Sequence, residues 1–370
     1  MDKEKNLVFI WSSFLSYHHD KAGQFLEEAN FCSISSYEKN YYEIQKNNPR
    51  NLYGLKILFP GEVLEDVSFL KRQIKLFKEI IKRKEKFIFL GNGGNMRAYH
   101  PAIFIGSLIQ RFFGKKVFVM FDTNFSDRQR NVFIEVAKAF FFLPYSGAIC
   151  SSPSTSEYLN FLGFKKKPKT NFGLNTINPE RFLSIKKEED LQRDQFVYVG
   201  RMSPEKNISF LLNAYSEYLK KTSRKKLILK LIGDGPMFDE YKNLASELNI
   251  EKFTFFVGAK SSQEIAEELN KSKALLFPSL SEPWGIVVNE AVSLSVPVII
   301  SEKVNSRSLL VRQMVNGFCL EPDNHEGWVK AMMLLAEDDE LYDTFSSGAK
   351  NFWDDINVKS FRKAVEYLTK

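Results

Sequence analysis

Residues 281–290 read Ser-Glu-Pro-Trp-Gly-Ile-Val-Val-Asn-Glu, and they follow the apolar run Ala274–Pro278. The order predicts a buried strand, then a loop with one carboxylate, then a helix that carries a second carboxylate about one turn in. Open α/β sheets bind ligands at such places, outside the carboxyl ends of their strands. The stretch therefore predicts an α/β fold with a binding site at this edge of the sheet.

The polar groups of this stretch suit an anion that lies beside hydroxyls. The amides at Gly285, Ile286 and Val287 would direct N–H groups and the positive end of a helix dipole at the anion. Glu282 and Glu290 would accept hydrogen bonds from neighbouring hydroxyls. A phosphate next to several hydroxyls describes a nucleotide sugar, which is the ligand that the stretch predicts.

The chain from Phe196 onward alternates short apolar runs with helical patterns. The predicted strands are Phe196–Val199, Leu227–Ile232, Phe253–Val257, Ala274–Phe277 and Val298–Ile300. The predicted helices between them are Asn207–Leu219, Met237–Leu248, Gln263–Asn270 and Ile286–Leu294. Apolar runs without alternation are typical of parallel strands covered on both faces. This half is therefore predicted to be a doubly wound parallel sheet.

The first half repeats the pattern less regularly. Its predicted strands are Leu7–Trp11, Leu55–Phe59, Phe87–Leu90, Val117–Phe121 and Ala148–Ser151. We expect a first domain over residues 1–178 and a second over residues 195–350, joined through the polar stretch Asp190–Asp194. Residues 351–370 are expected to hold a last helix that crosses back to the first domain.

Size and composition exclude several classes of protein. The 370 residues suffice for two domains, and no run of about 18 apolar residues predicts a transmembrane helix. The N-terminus is too short and too acidic for a signal peptide. Cys32, Cys150 and Cys319 are scattered and form neither a disulfide framework nor a metal-binding spacing. These features predict a cytoplasmic protein in a reducing compartment.

The net charge of +7 is spread unevenly. The first 190 residues carry 29 lysines and arginines against 20 aspartates and glutamates, and the remainder carries 23 against 25. The asymmetry indicates that the first half meets an anionic partner, such as a lipid surface or a phosphate-bearing substrate. An AT-rich codon supply, which would also explain the 34 phenylalanines, is the alternative.

Two cations follow the first strand of the second half. Gly200 permits a sharp turn, and Arg201 and Lys206, five residues apart, could clamp a diphosphate from both sides. Gly233 closes the next predicted strand and serves its turn, with a further role in lining the site. These residues belong to the same predicted sheet edge as Glu282.

Together these residues resemble the nucleotide-binding domain of the retaining glycosyltransferases of family 4, which have the GT-B fold. The resemblance covers about Phe196 to Leu320. The matching pieces are Gly200-Arg201 with Glu205-Lys206, Gly233-Asp234-Gly235-Pro236, the Glu-x7-Glu pair in Ser281–Ala291, and Pro297-Val298-Ile299. Ser295 departs from the family, which usually has glycine there. The resemblance implies two Rossmann-like doubly wound domains that face each other across a cleft.

The resemblance also implies roles for single residues. Arg201 and Lys206 would neutralise the diphosphate of the donor, including charge that develops on the leaving group. Glu282 would bind hydroxyls of the transferred sugar, and Glu290 would bind the ribose. Gly200, Gly233 and the amides of residues 285–287 would complete the donor site. The acceptor would attack from the face of the leaving group, so no dedicated nucleophile is needed.

The first half matches the family less well. Asp122 stands where many members have a histidine, in a pattern that looks like a bacterial subgroup with a following acidic residue, Asp127, and an arginine, Arg130. Asp122 could bind a sugar hydroxyl or orient the acceptor, or it could pair with a nearby arginine. His18 and His19 replace the glycine-rich loop of the family, and either could act as a general base.

The segment Ser68–Lys86 predicts a basic amphipathic helix. Such a helix can lie on an anionic membrane surface, or it can be an ordinary domain helix with its apolar face in the core. Docking at the inner face of the membrane would favour a lipid-linked acceptor.

The predicted function is transfer of a hexose from a nucleotide-diphosphate sugar to a saccharide or lipid-linked saccharide, in polysaccharide or lipopolysaccharide assembly. A UDP-sugar is the expected donor and a GDP-sugar the alternative. No metal-binding motif is present in the sequence, so transfer without a metal or other cofactor is expected. No nucleic-acid-binding module is recognised. A non-catalytic partner that binds nucleotide sugars within a transferase complex is the alternative function.

Overall fold

The computed structural model describes residues 5–12, 14, 16–37, 54–63, 66–91, 100–125, 130–182, 185, 193–224 and 226–370. The chain forms two compact units. The first unit comprises the described residues of Met1–Phe125, Gln129–Thr176 and Val358–Lys370, and the second is centred on Ile177–Asn357. Each unit contains its own parallel sheet.

The sheet of the first unit has the strand order β3-β2-β1-β4-β5-β6-β7 among the described residues, and all its pairings are parallel. Its strands are β1 (Leu7–Trp11), β2 (Ala29–Tyr37), β3 (Lys56–Val63), β4 (Phe87–Gly91), β5 (Lys116–Phe121), β6 (Gly147–Cys150) and β7 (Lys169–Thr170). All five residues of β1 are buried, because helices cover both faces of the sheet.

Helices cover the two faces of this sheet in two groups. Those in the described part of the unit are Ser16–Gly23, Phe69–Ile81, His100–Phe112, Val132–Phe141, Pro153–Leu159, a π-helical turn at Asn160–Phe164, and Lys359–Thr369. Residues of helices 69–81, 100–112 and 153–159 pack with Val8 and Ile10 on one face. Helices 16–23 and 359–369 pack with Phe9 on the other.

The sheet of the second unit has the strand order β10-β9-β8-β11-β12-β13. Its strands, also all parallel, are β8 (Gln195–Val199), β9 (Ile228–Ile232), β10 (Thr254–Phe256), β11 (Ser272–Phe277), β12 (Val298–Ser301) and β13 (Gly317–Leu320). The order reverses between β8 and β11, which lie side by side at the centre. Ligands of open α/β sheets bind at this kind of reversal, beyond the carboxyl ends of the strands.

The helices of the second unit follow these strands. The α-helices are Ile208–Lys221, Phe238–Glu247, Ser262–Asn270, Ile286–Ser293, Arg307–Leu310, His325–Glu337, Asp339–Ala349 and Trp353–Ile356. Short 3-10 turns occur at Pro179–Phe182, Pro204–Lys206 and Lys350–Phe352. Ser261 begins helix 262–270 with the capping box that its sequence predicts, since its hydroxyl accepts from the Glu264 amide.

The five strands predicted for the second half are all present, and their bounds differ from the predictions by one or two residues at most. The structure adds β13, which lies at the end of the sheet. In the first half it adds, among other elements, β2, β7 and helix 100–112, and the helix expected after Arg130 is present at Val132–Phe141. The polar stretch Asp190–Asp194 lies largely outside the described residues.

Candidate functional site

The turn after β8 is fixed to the turn after β9 by backbone hydrogen bonds. The amide of Gly200 donates to the carbonyl of Ile232 over 2.9 Å, and the amide of Met202 donates to the carbonyl of Asp234 over 2.9 Å. These bonds extend the pairing of β8 and β9 beyond the last strand residues. The two turns therefore form one rigid edge.

Close backbone contact explains the glycine at position 233. Gly233 has a φ of 137°, which L side chains rarely adopt, and a Cβ there would collide with the carbonyl oxygen of Gly200. Both predicted glycines therefore lie at this edge, packed backbone to backbone. A side chain at position 233 would separate the two turns.

Lys206 and Glu282 form an ion pair that joins this edge to the loop after β11. Each side chain is 14% exposed, so the pair is largely shielded from water. The Leu280 amide also donates to the Glu205 carbonyl over 2.8 Å. Asn207, at a φ of 58°, donates from Nδ2 to the Pro322 carbonyl over 2.9 Å. The predicted cation and the predicted sugar-binding carboxylate are thus in direct contact.

Helix 286–293 begins at Gly285, which has a φ of 81°. No side chain among the described residues caps this end, and an added Cβ would lie 2.6 Å from the ring of Phe277. The first-turn amides, which include those of Ile286 and Val287, have no carbonyl of their own helix to bind. The Trp284 indole donates to Asn289 Oδ1 over 2.8 Å and fixes the start of the helix.

Glu290 lies on the same helix and is buried, with 9% of its surface exposed. Burial raises the pKa of its carboxyl from 4.5 to about 8. Among the described residues, no cation forms an ion pair with it. The protein thus keeps a carboxyl out of water close to a helix N-terminus.

Arg201 is exposed on the turn after β8, and the Tyr198 hydroxyl donates to its carbonyl over 3.1 Å. Burial raises the pKa of Tyr198 well above its ordinary value, and the charge of Glu282 raises it further, so the phenol stays protonated. The sequence motifs do not include Tyr198 and Asn207. Both are uncharged neighbours of the motif residues, so no charge pattern indicates them. A polar side chain at the end of a buried strand is the available signal for Tyr198.

Ser295, which stands where the family usually has glycine, lies at the end of helix 286–293. It has a φ of 59°, in the left-handed region that glycine adopts without strain, and it is buried. Its amide donates to the Val292 carbonyl over 3.0 Å at the end of helix 286–293. The serine thus adopts the conformation that a glycine would favour.

In the first unit, His18 and His19 lie on helix 16–23, directly after β1. His18 is buried, with its ring centroid 5.1 Å from that of Trp11. Burial, then the charges of Lys21 and His19, hold the pKa of His18 well below 6.5. His19 packs edge-on against Phe14 at 4.7 Å and is half-buried. His18 is therefore a neutral imidazole at neutral pH.

Lys21 is a buried lysine that the sequence analysis does not identify. Burial lowers its pKa to about 7, while the charges of Asp122 and Asp20 act in the opposite direction. Its Nζ lies 5.6 Å from the centroid of the Phe361 ring. Asp122, half-buried after β5, therefore lies within electrostatic reach of Lys21 in the first unit.

Arg130 contributes to the structure of the first unit. It donates to the Tyr158 hydroxyl over 3.1 Å and to the Asn124 carbonyl, and it lies 3.6 Å from a carboxylate oxygen of Glu135. These contacts fix Arg130 in front of helix 132–141. Asp127 lies outside the described residues.

In the described part of the chain, no three His, Cys, Asp or Glu side chains are grouped to hold a metal ion. Over these residues, too, no helix has the length and apolar character needed to cross a membrane. The three cysteines are free thiols, and burial raises the pKa of Cys32 to about 11 and that of Cys150 to about 12.

Residues 180–352 match the family model described as "Glycosyl transferases group 1". The chain is similar to an "Uncharacterized glycosyltransferase" of Haemophilus influenzae, with 28% identity over 53% of this chain and 54% of that protein. It is also similar to the "UDP-Gal:alpha-D-GlcNAc-diphosphoundecaprenol alpha-1,3-galactosyltransferase" of Escherichia coli, with 26% identity over 44% of this chain and 41% of that protein. The chain spans about half the length of the curated relatives that it matches.

The solved structure of Anabaena HepE in complex with UDP is similar over nearly the whole chain. The TM-score is 0.71 at 15% sequence identity, with 98% of this chain and 99% of that chain covered. At this identity the likeness concerns the fold, which is the GT-B fold expected from the sequence. Residues 180–352 are thus similar to a glycosyltransferase group 1 domain, and the chain has the GT-B fold.

Proposed function

We propose that the protein is a retaining glycosyltransferase that moves a hexose from a UDP-sugar to a saccharide or lipid-linked saccharide acceptor. The observation that carries the proposal is the ion pair between Lys206 and Glu282, with the buried Glu290 on the helix that follows. Lys206 would thus supply a cation, Glu282 a sugar-binding carboxylate and Glu290 a ribose-binding carboxylate near the N-terminus of helix 286–293. The similarity to named glycosyltransferases supports the same reaction.

Arg201 and Lys206 would bind the donor diphosphate. Lys206 contacts Glu282. A diphosphate placed at the first turn of helix 286–293 would share this cation with the carboxylate and gain the helix dipole. As the bond to the sugar breaks, negative charge accumulates on the leaving phosphate. Fixed donors aimed at such charge are each worth about 3 kcal/mol of transition-state stabilisation.

Glu282 and Glu290 would select and orient the sugars of the donor. Lys206 holds Glu282 in place, so its carboxylate is preorganised to accept hydrogen bonds from hydroxyls of the transferred hexose. Glu290 would accept from the ribose hydroxyls once its proton is released. A buried carboxyl that has no ion-pair partner among the described residues loses little when it turns towards a ligand.

The proposed transfer retains the configuration of the sugar. The acceptor hydroxyl attacks from the face of the leaving group, and the departing phosphate takes its proton, so no enzyme nucleophile is required. The positive charge comes from Arg201, Lys206 and the helix N-terminus, and the proposal includes no metal or other cofactor. In the first unit, Asp122 is proposed to orient the acceptor, with its charge within electrostatic reach of Lys21.

The relatives support the proposed donor and acceptor. The Escherichia coli protein is named for transfer from UDP-Gal to a diphosphoundecaprenol-linked sugar, and the Anabaena structure holds UDP. For this chain we therefore propose a UDP-sugar donor and a lipid-linked acceptor in surface-polysaccharide or lipopolysaccharide assembly. The enzyme would work in the cytoplasm, peripherally at the inner face of the membrane.

Thermal stabilisation by a panel of nucleotides and nucleotide sugars tests the donor site. A ligand that binds only the native state raises stability by about 2.7 kcal/mol at a hundredfold excess over Kd. We expect UDP and one UDP-sugar to raise the melting temperature of the wild type but not of Arg201→Ala or Glu290→Ala. Glu240→Ala and Lys242→Ala, both on the exposed side of helix 238–247, should respond like the wild type.

Turnover separates a transferase from a binding protein. We expect slow release of UDP from the stabilising UDP-sugar, accelerated by a saccharide acceptor. No stabilisation by any nucleotide would refute the donor site. Stabilisation without release of UDP under any acceptor condition would refute the enzyme and leave a protein that binds nucleotide sugars.

A further inference from the structure

Helix 132–141 has its polar and apolar sides reversed relative to an ordinary domain helix. Its sequence is Val-Phe-Ile-Glu-Val-Ala-Lys-Ala-Phe-Phe, and its one buried residue is Glu135. Lys138 contacts this carboxylate over 2.6 Å, and the Tyr158 hydroxyl donates to it. Phe133, by contrast, is 85% exposed, and Val136 is 63% exposed. The helix thus turns hydrocarbon outward and buries its acid.

The neighbouring helix 100–112 continues the apolar surface. Ile105, Leu108 and Phe112 recur at helical spacing along its outer side and are exposed, with Phe112 at 87%. The Phe104 ring joins the two helices, because it lies 5.1 Å from the ring of Phe140. The outer sides of helices 100–112 and 132–141 therefore form one continuous surface.

Helix 69–81 adds both apolar and basic side chains to this surface. It packs closely on helix 100–112, since a Cβ at Gly106 would lie 2.9 Å from Ile80. Leu76 and Ile80 face the core, as in an ordinary domain helix, while Leu70 and Ile74 are exposed. The two roles considered for Ser68–Lys86, core packing and membrane contact, are thus compatible. One side of the helix packs in the core, and another side remains in solvent.

The exposed charged side chains of the three helices are all positive. Lys71, Lys78 and Arg111 are exposed. The acidic residues of the three helices are Glu79 and Glu135, and both are buried. The apolar surface is thus bordered by cations of the three helices, of which Lys71 lies 3.5 Å from a carboxylate oxygen of the exposed Glu62. Extended exposed apolar surfaces on soluble proteins mark interaction sites.

We infer that the outer side of helices 69–81, 100–112 and 132–141 docks on an anionic lipid bilayer. This surface is called the outer helix face below. Exposed Phe112 and Phe133 would enter the boundary between headgroups and acyl chains, and the lysines would contact anionic headgroups. A second copy of the chain is a poor occupant, because symmetric contact through the outer helix face would bring lysines against lysines.

Lipid docking through the outer helix face does not require the donor site. Vesicle binding can therefore fail while donor binding succeeds, and the reverse. It deepens the proposed function by giving a location at which a lipid-linked acceptor would meet the protein. Its test uses the full chain and needs no sugar.

Flotation with lipid vesicles tests the inference. We expect the wild type to float with phosphatidylcholine vesicles that contain about one-quarter phosphatidylglycerol, and to bind pure phosphatidylcholine at least about tenfold less. The double variant Phe112→Ser/Phe133→Ser should lose at least about tenfold in partitioning, as expected when buried apolar side chains are removed. Lys71→Gln/Lys78→Gln should weaken binding to the anionic vesicles only.

A matched control places the same change on exposed aromatic residues elsewhere. Tyr367→Ser, on the opposite face of the first unit's sheet, and Phe255→Ser, in the second unit, should float like the wild type. Absence of wild-type binding to anionic vesicles would overturn the inference. So would equal losses in the control variants.

Light scattering tests the alternative occupant. We expect the wild type to be a monomer without vesicles at concentrations where it floats with them. A wild-type dimer that Phe112→Ser/Phe133→Ser converts to a monomer, with no change in vesicle binding, would assign the outer helix face to a second copy and overturn the inference.

Discussion

At the residue scale, Glu290 shows how a binding group can oppose stability. Its carboxyl is buried on helix 286–293, and burial raises its pKa from 4.5 to about 8. Between these pH values the folded protein holds a proton that the unfolded chain has released. The free energy of unfolding therefore falls as the pH rises from about 4.5 to about 8 and becomes constant above that range. Retaining the glutamate thus costs stability at neutral pH.

Glu290→Gln should remove this pH dependence. Near pH 4 the variant and the wild type should have similar free energies of unfolding. Near pH 9 the variant should be more stable by a few kcal/mol, from about 1.4 kcal/mol per unit of pKa. Urea unfolding across this pH range measures the difference, and Glu240→Gln, an exposed glutamate, is the control. A difference that does not change with pH would contradict this account.

At the element scale, the start of helix 286–293 depends on a backbone conformation that glycine provides. Gly285 has a φ of 81°, and the ring of Phe277 occupies the place of a Cβ. The conformation directs the first-turn amides to the edge where β8 and β11 end. Gly285 therefore has a backbone conformation that other residues rarely adopt, at the place where the proposed diphosphate would bind.

Gly285→Ala should destabilise the protein by about 2 kcal/mol or more, because it adds a steric clash to the cost of a positive φ. It should also weaken UDP binding, since the first turn must shift. Gly258→Ala is a matched control, with a φ of 72° and no atom within 4 Å of the added Cβ. Its cost should be about 1 kcal/mol, with UDP binding unchanged. Calorimetry with and without UDP measures both effects, and equal losses in the two variants would refute the role of Phe277.

Also at the element scale, the sequence pattern of helix 132–141 is ambiguous. Apolar residues occur on all its sides, so periodicity does not distinguish its core side from its outer side. The side that packs is chosen by Tyr158 and Arg130, which come from elsewhere in the first unit and satisfy Glu135. Because tertiary contacts decide which side packs, the sequence pattern alone does not reveal the exposed apolar side that is proposed to dock on lipid.

At the scale of the whole molecule, the chain ends in the unit where it began. Helix 359–369 belongs to the first unit, and its Phe361 is fully buried. The ring lies 5.5 Å from that of Phe9 on β1 and 5.9 Å from that of Phe25. The core of the first unit therefore joins residues that are about 350 positions apart in the sequence.

Phe361→Ala should destabilise the first unit by about 3–5 kcal/mol, as is usual for the loss of a buried aromatic ring. Hydrogen exchange should show faster exchange of the amides of β1 and β4 and little change in β8 and β11 of the second unit. UDP should still protect the second unit. Tyr367→Ala, an exposed aromatic on the same helix, is the control. Equal acceleration in both units would show that they unfold together.

The sequence by itself determined the strands of the second half, indicated the GT-B fold through a family resemblance, and provided the residues that are proposed to bind a nucleotide sugar. Buried parallel strands leave a local signal, and Glu282 and Glu290 are only eight positions apart. The tertiary structure decided which groups meet. Lys206 and Glu282 are 76 residues apart and make contact because β8 and β11 are neighbours in the sheet. The burial of Lys21, the burial of Glu290 and the reversed sides of helix 132–141 also depend on residues distant in sequence, which local patterns do not encode.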